Sequence, residues 1–343
     1  MGWVGVDLFF VLSGFLITGI LLDAMGQPHY FRNFYARRVL RIFPLYYAVV
    51  FFSLVVLPHI HHPKAEHFGR VRGDEVWYWT YLSNFIIAKR DAWRHAILDV
   101  SWSLAIEEQF YLFWPAIVLL CSRRVLMAVC GLLIGAALVF RVGMACAGAG
   151  TIPIFVLTPS YVDALAVGAF LAAAARGTGG LATMIRPAAV VTLATAATLA
   201  ALLVAQNETA ASRWMQTIGF SALAVLFGGV LVLASSSAAP AAFFAHPALR
   251  AFGKYSYALY LFNLPLRALV RDAGFTPERA PAVLGSRLPA QVLFYVIATS
   301  LSFVAALLSW HLYEKHFLRL KRFFPEPRRP AAAVVHGTDA VSN

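Results

Sequence analysis

The chain has 343 residues, 60% of them hydrophobic and only 13% charged, and its mean hydropathy is +0.72. Soluble domains carry about 25% charged residues, so the composition excludes an ordinary soluble fold and points to an integral membrane protein. Net charge is +12, from 28 Lys and Arg against 16 Asp and Glu. The basic residues cluster between apolar runs and in the tail, so anionic lipid headgroups and the positive-inside rule account for the excess, and no nucleic-acid partner is expected.

Apolar windows long enough to cross a bilayer recur at 3–22, 39–58, 101–121, 125–146, 154–175, 187–205, 214–234, 255–271 and 290–312. The fold class is therefore all-α, a polytopic membrane helix bundle with about nine transmembrane helices. Segment 76–88 (VWYWTYLSNFIIA) is too short and aromatic for a span and suits an interfacial or re-entrant piece. The membrane domain covers 1–320, and 321–343 is a basic, Pro/Ala-rich tail expected to be disordered and cytoplasmic. With the tail inside, the loops on its side carry Arg32, Arg37, Arg38, Arg41, Arg123, Arg124, Arg176, Arg186, Arg250 and Lys254. Nine spans then put Met1 outside without a basic flank or signal-peptide n-region, so topology predicts one further helix upstream of Met1.

Polar residues inside these apolar runs are the candidates for chemistry. FYARRVLRIFPLYY (Phe34 to Tyr47) sets Arg37, Arg38 and Arg41 beside a span, with Arg37 and Arg41 on one helical face. Such a face holds an anion such as a phosphate, or it is only an orienting flank. GVDLFFVLSGFLIT (Gly5 to Thr18) carries Asp7, which is either a functional polar residue or a simple cap of a water-facing helix start, and Ser13-Gly14, which suits close helix packing. In SWSLAIEEQFYLFWP (Ser101 to Pro115), Glu107 and Glu108 lie about two turns inside an apolar helix between Trp102 and Trp114. A buried carboxylate serves as a general base or acid, or closes a structural ion pair. Adjacent helical positions diverge by about 100°, so only one of the two can face a given point. Glu107 shares a polar stripe with Ser103 and Tyr111, whereas Glu108 lines up with Leu104 and Leu112.

Asp163 heads another span, and GKYSYALYLFNLPL (Gly253 to Leu266) offers Tyr255, Ser256, Tyr257, Tyr260 and Asn263, which could equally form an interfacial belt. SWHLYEKHFLRLKRFF brings His311, Glu314 and a basic amphipathic end suited to the membrane surface. His59, His61, His62 and His67 form a loop cluster without a carboxylate or cysteine at metal spacing. Cys121, Cys130 and Cys146 read as small hydrophobes, so no metal is expected.

Taken in order, GVDLFFVLSGFLIT, FYARRVLRIFP, SWSLAIEEQFYLFWP, VDALAVGAFLA, GKYSYALYLFNLPL and YEKHFLRL resemble acyltransferase family 3, which includes the O-acetylases of bacterial polysaccharides. The resemblance runs from residue 2 to about 320. It implies a bundle of about ten helices in the bacterial inner membrane. The bundle would pass an acyl group, usually acetyl, from cytoplasmic acyl-CoA (a co-substrate; no cofactor is held permanently) to a hydroxyl of an exported or cell-surface glycan. On that likeness Arg37, Arg38 and Arg41 meet the phosphates of CoA. Glu107, Glu108 and Asp163 are the catalytic candidates, and Asp7, Ser13, Trp102, Tyr111, Tyr257 and Asn263 are substrate-facing or structural polar positions. The family's first helix, with an arginine and a histidine eleven positions later, is expected upstream of Met1; its loss would put catalysis in doubt while the fold could persist, and an inactive remnant is then the alternative reading. Two further departures, Tyr161 where glycan-type members have Arg and Asn263 where they have His, bear on the acceptor more than on the reaction type. A transporter would show matching inverted halves, and the sequence has no such symmetry.

Overall fold

The structure, a computed structural model, describes residues 4–60, 73–93, 95, 97–206, 212–236, 242–277 and 286–326. It is all-helical across these residues. α1 is Val4–Asp23 and α2 is Tyr30–Phe51, which continues through a π turn and a 3-10 turn to His59. Two short helices, α3 (Glu75–Trp79) and α4 (Ser83–Arg90), fold segment 76–88 back against the bundle and bury Tyr78, Asn84, Ile86 and Ile87. α5 (Ser101–Leu120), α6 (Arg123–Cys146), α7 (Thr151–Val156), α8 (Thr158–Ala174), α9 (Ile185–Gln206) and α10 (Phe220–Ser236) follow. α11 (Pro247–Asp272), α12 (Leu288–Ser309) and α13 (Lys315–Arg319) complete the order, and a 3-10 turn, Leu320–Phe323, ends it.

Among the described residues, eight helical segments are long and apolar enough to cross a membrane. The expected ninth, 255–271, is present as the long helix α11, but Lys254, Arg267, Arg271, Asn263 and its tyrosines hold its apolarity below that of the others. The expected span 154–175 is broken at Leu157, whose extended backbone precedes Pro159 in the first turn of α8. The arginine run lies inside α2, two turns from its start, and not ahead of the helix. Exposed Leu112, Phe113, Leu120, Leu132, Val139 and Leu193 would be a liability in water; here they form the lipid-facing surface.

The centre of the bundle is the crossing of α1 with α8, flanked by α5, α6 and α10. It is tight because Gly14 faces the main chain of Leu165 and Gly168 faces the main chain of Val11 and Phe15. A second packed region joins the later part of α2, the α3–α4 segment, the start of α5, α11 and the end of α12. Tyrosine hydroxyls inside the bundle find main-chain acceptors: Tyr30 donates to the Pro115 carbonyl at 3.1 Å, Tyr35 to Leu112 at 2.8 Å and Tyr257 to Ile42 at 2.8 Å. The last two described residues of the tail, Pro325 and Glu326, lie beside α2, and 327–343 fall outside the described residues.

Candidate active site

α5 organises the site, because its polar stripe runs nearly the length of the bundle. Near its C-terminal half stand the arginines of α2. Arg38 lies over the Tyr111 ring, 5.7 Å from its centroid, and both Arg38 and Arg41 are close enough to Glu107 for their charges to interact. Both are half-buried, and among the described residues neither has an ion-pair partner. Arg37 points elsewhere: it donates to the Phe324 carbonyl at 2.7 Å and pairs with Glu326. Arg32 covers the Phe324 ring at 5.4 Å, and Lys321 joins the field of Arg37, Arg38 and Arg41. The expected trio is therefore a pair without ion-pair partners among the described residues plus one arginine tied to the tail, with Lys321 as a fourth cation that sequence spacing could not reveal.

One helical turn above, Glu107 is buried at 2% exposure and accepts from the Tyr111 hydroxyl at 3.0 Å. That hydroxyl also meets Ser13 of α1. Because the single Tyr111 proton goes to Glu107, Ser13 is the donor in the second bond. Ser13 thus has a polar partner, while the close packing expected of Ser13-Gly14 belongs to Gly14 alone. Glu108 shares none of these hydrogen bonds: it is close enough to Tyr81 and Tyr257 of the second packed region, and to Arg38, for their charges to interact, and its Oε1 is buried without a hydrogen bond. The two glutamates thus differ in their hydrogen bonding, Glu107 with a partner and Glu108 Oε1 without one.

At the N-terminal end of α5 the stripe continues with Ser103, 2.6 Å from the Tyr260 hydroxyl; both reach the Val100 carbonyl. Beyond them opens a cavity of about 780 Å³, lined by Trp102, Phe155, Ser256, Tyr260, Asn263 and Arg267 among others. A second hollow of about 410 Å³ adjoins it, sharing Trp102 and Arg267 and adding Trp93, Asp99 and Arg271. Trp102 to Tyr111, the residue under Arg38, is nine residues of helix, so the cavity and this arginine stand about 14 Å apart along α5.

Asp163 belongs to a separate cluster. Its Oδ2 receives Arg141 at 2.7 Å and the Ser221 hydroxyl at 2.7 Å, and its Oδ1 receives the Ala164 amide at 2.9 Å. Arg141, fully buried on α6, also bonds the Thr217 and Ser160 carbonyls and the Ser221 hydroxyl. This ion pair escaped sequence reading because Arg141 sits in ALVFRVGM, an apolar context with nothing to mark its partner. Asp7 is fully buried beside the pair and neither of its side-chain oxygens has a hydrogen-bond partner, which disfavours the water-facing cap of the two readings of this residue. Tyr161 takes no part in the ion pair and forms an aromatic wall with Phe220 at 5.2 Å, Trp102 at 5.4 Å and Phe10 at 5.4 Å. Of the expected positions, Ser13, Glu107, Tyr111, Arg38 and Arg41 come together, Trp102 and Asn263 share the far cavity, and Asp7 and Asp163 stand apart. Among the described residues no group of His, Cys, Asp and Glu could hold a metal ion; of the histidine cluster only His59 is described, bonded to the Val55 carbonyl.

A helical membrane bundle with arginines beside a buried carboxylate and a separate cavity is compatible with an enzyme embedded in the membrane. The chain belongs to acyltransferase family 3, whose acyltransferase domain matches residues 1–311. It is 42% identical over 146 residues to "Putative peptidoglycan O-acetyltransferase YrhL" of Bacillus subtilis, a stretch covering 39% of this chain and 23% of that protein. It is 40% identical over 132 residues to the peptidoglycan O-acetyltransferase OatA of Listeria monocytogenes, covering 36% of this chain and 21% of the relative. The match thus spans less than a quarter of the length of these curated relatives. No solved structure matches the chain.

Proposed function

We propose that this chain is a membrane O-acetyltransferase that takes acetyl from acetyl-CoA at the arginine end and delivers it to a glycan hydroxyl in the cavity at the other end. Peptidoglycan, the acceptor named for the relatives, is the first candidate. The observation that carries this is the stripe on α5: Tyr111 and Glu107 beside Arg38 and Arg41, then Ser103 at the edge of the cavity. Arg38 and Arg41 would hold the CoA phosphates, for which fork-shaped donors are suited, with Lys321 and Arg37 adding charge at the rim. Glu107, oriented by Tyr111 and Ser13, would take the proton of the acceptor hydroxyl as its oxygen attacks the thioester carbonyl. The C–S bond then breaks, the acetyl ester forms, and the proton passes from Glu107 to the departing CoA sulfur. Trp102 and Asn263 would contact the acceptor, Tyr257 would brace α11 against α2, and Asp163 would anchor α8 through Arg141. The arginine end and the tail share one side through Arg37 and Glu326, which supports a cytoplasmic donor face in a bacterial inner membrane.

The test is reconstitution into vesicles with labelled acetyl-CoA on the tail side and an oligosaccharide on the other. Acetylated oligosaccharide on the far side is the expected result. Donor binding without transfer, or transfer only when both substrates share a side, would refute the assignment.

A further inference from the structure

The far cavity has an unequal lining. One wall is aromatic: Trp102 contacts Phe155 with ring centroids 4.9 Å apart, and Trp93 meets Phe155 at 6.1 Å. Flat aromatic faces of this kind cover the apolar face of a sugar ring and leave its hydroxyls at the edge. The other wall is a single face of α11. Ser256, Tyr260, Asn263, Arg267 and Arg271 follow one another at steps of three or four residues, so they form one stripe. The stripe turns from hydroxyl and amide to guanidinium as it leaves the bundle.

Arg267 borders both hollows, and its Nε is buried without a hydrogen-bond partner. Its guanidinium lies over the Tyr295 ring at 5.6 Å, which steadies the group without using its donors. Arg271 is exposed at the rim of the smaller hollow. Asp99, the acid in that lining, accepts the His95 amide at 3.1 Å. A neutral sugar gives two guanidiniums nothing to neutralise, whereas a carboxylate or phosphate takes both donors of an arginine fork.

We infer, on the reading of this protein as a glycan acetyltransferase, that the cavity is built for an anionic saccharide. Arg267 and Arg271 bind its carboxylate or phosphate, while Trp93 and Trp102 cover the neighbouring ring. The hydroxyl to be acetylated then lies inward, toward Tyr260 and Ser103.

The experiment measures binding of three matched oligosaccharides to the purified full chain by tryptophan fluorescence: a carboxylated one, a phosphorylated one, and their neutral parent. At least one anionic form should bind about tenfold tighter than the neutral parent. That preference should fall in Arg267→Gln and in Arg271→Gln, and Arg267→Lys should restore part of it. Arg271 is exposed, so its variant keeps the test valid if Arg267→Gln folds poorly. Which anionic form is preferred identifies the ligand group. Equal affinity for all three, binding of none, or a preference that survives both Gln variants would overturn the inference. Labelled acetyl-CoA binding, measured on the same preparations, reports on the acyltransferase assignment separately, because the proposed donor arginines, beside Tyr111, do not line the cavity.

Discussion

Replacing Arg141 by Met should leave the Asp163 carboxyl group in the bundle with no cation against it. The carboxylate would keep the Ser221 hydroxyl at 2.7 Å and the Ala164 amide at 2.9 Å, while the Thr217 and Ser160 carbonyls would each lose a donor. Breaking a buried pair from one side costs about 3–5 kcal/mol, because the remaining charge has lost its compensation. Asp163 is 1% exposed and Arg141 fully buried, so solvent offers little relief and the upper half of that range is expected. Removing both charges in Arg141→Met/Asp163→Leu should recover most of the loss, since an apolar pair of similar volume pays no such desolvation. Unfolding in a titration of denaturing against mild detergent, followed by tryptophan fluorescence, reads both values. A loss below about 1 kcal/mol in the single variant, or a double variant no more stable than the single, would refute the reasoning. The same proteins decide the role of Asp163. Stability regained together with acetyl transfer marks an anchor, and stability regained without transfer returns Asp163 to the chemistry.

Arg38→Ala and Arg41→Ala should each weaken labelled acetyl-CoA binding by about 2–5 kcal/mol, and unchanged affinity in both would reduce the cluster to an orientation signal. Glu107→Gln should lower acetyl transfer by roughly 100-fold or more while keeping shape, whereas Glu108→Gln should mainly lower yield or thermal stability; equal losses of activity would refute the division of roles. Single cysteines in a background lacking Cys121, Cys130 and Cys146 should label residues 32–41 and the tail from the cytoplasmic side and loop 59–100 from outside. Labelling of 32–41 in intact cells by an impermeant reagent would overturn both the orientation and the donor assignment.

The helices and the α5 stripe were legible because both depend on short-range spacing. Apolar runs of span length mark membrane helices, and i, i+4 steps place Ser103, Glu107 and Tyr111 on one face whatever surrounds them. What came from other helices was not legible. Arg141 meeting Asp163, Ser13 meeting Tyr111, and Glu326 and Lys321 returning to the arginines all join residues far apart in the chain, and no local pattern encodes them. Arg267 and Arg271 were not legible for a related reason. Near the end of a membrane helix, basic residues read as a flank, and only the adjoining hollow and aromatic wall give them a second use. The break at Leu157 was readable in principle from Pro159, but a continuous apolar run obscured it.

The glycine crossing of α1 and α8 also bears on motion. A methyl group at Gly14 would strike the Leu165 carbonyl, and one at Gly168 would strike the Val11 carbonyl and the Phe15 amide. Two helices in main-chain contact cannot roll or slide past each other without a collision, so this pair behaves as a fixed post. α11 is differently placed: it packs chiefly on α12, carries Pro265 in its interior and supplies one wall of the cavity. Any opening that widens this cavity should therefore be a swing of α11 with α12 about a stationary α1–α8 axis. Spin-label distances from α11 to α5 should broaden or shift during turnover while those from α1 to α8 hold still, and the reverse pattern would put the hinge elsewhere.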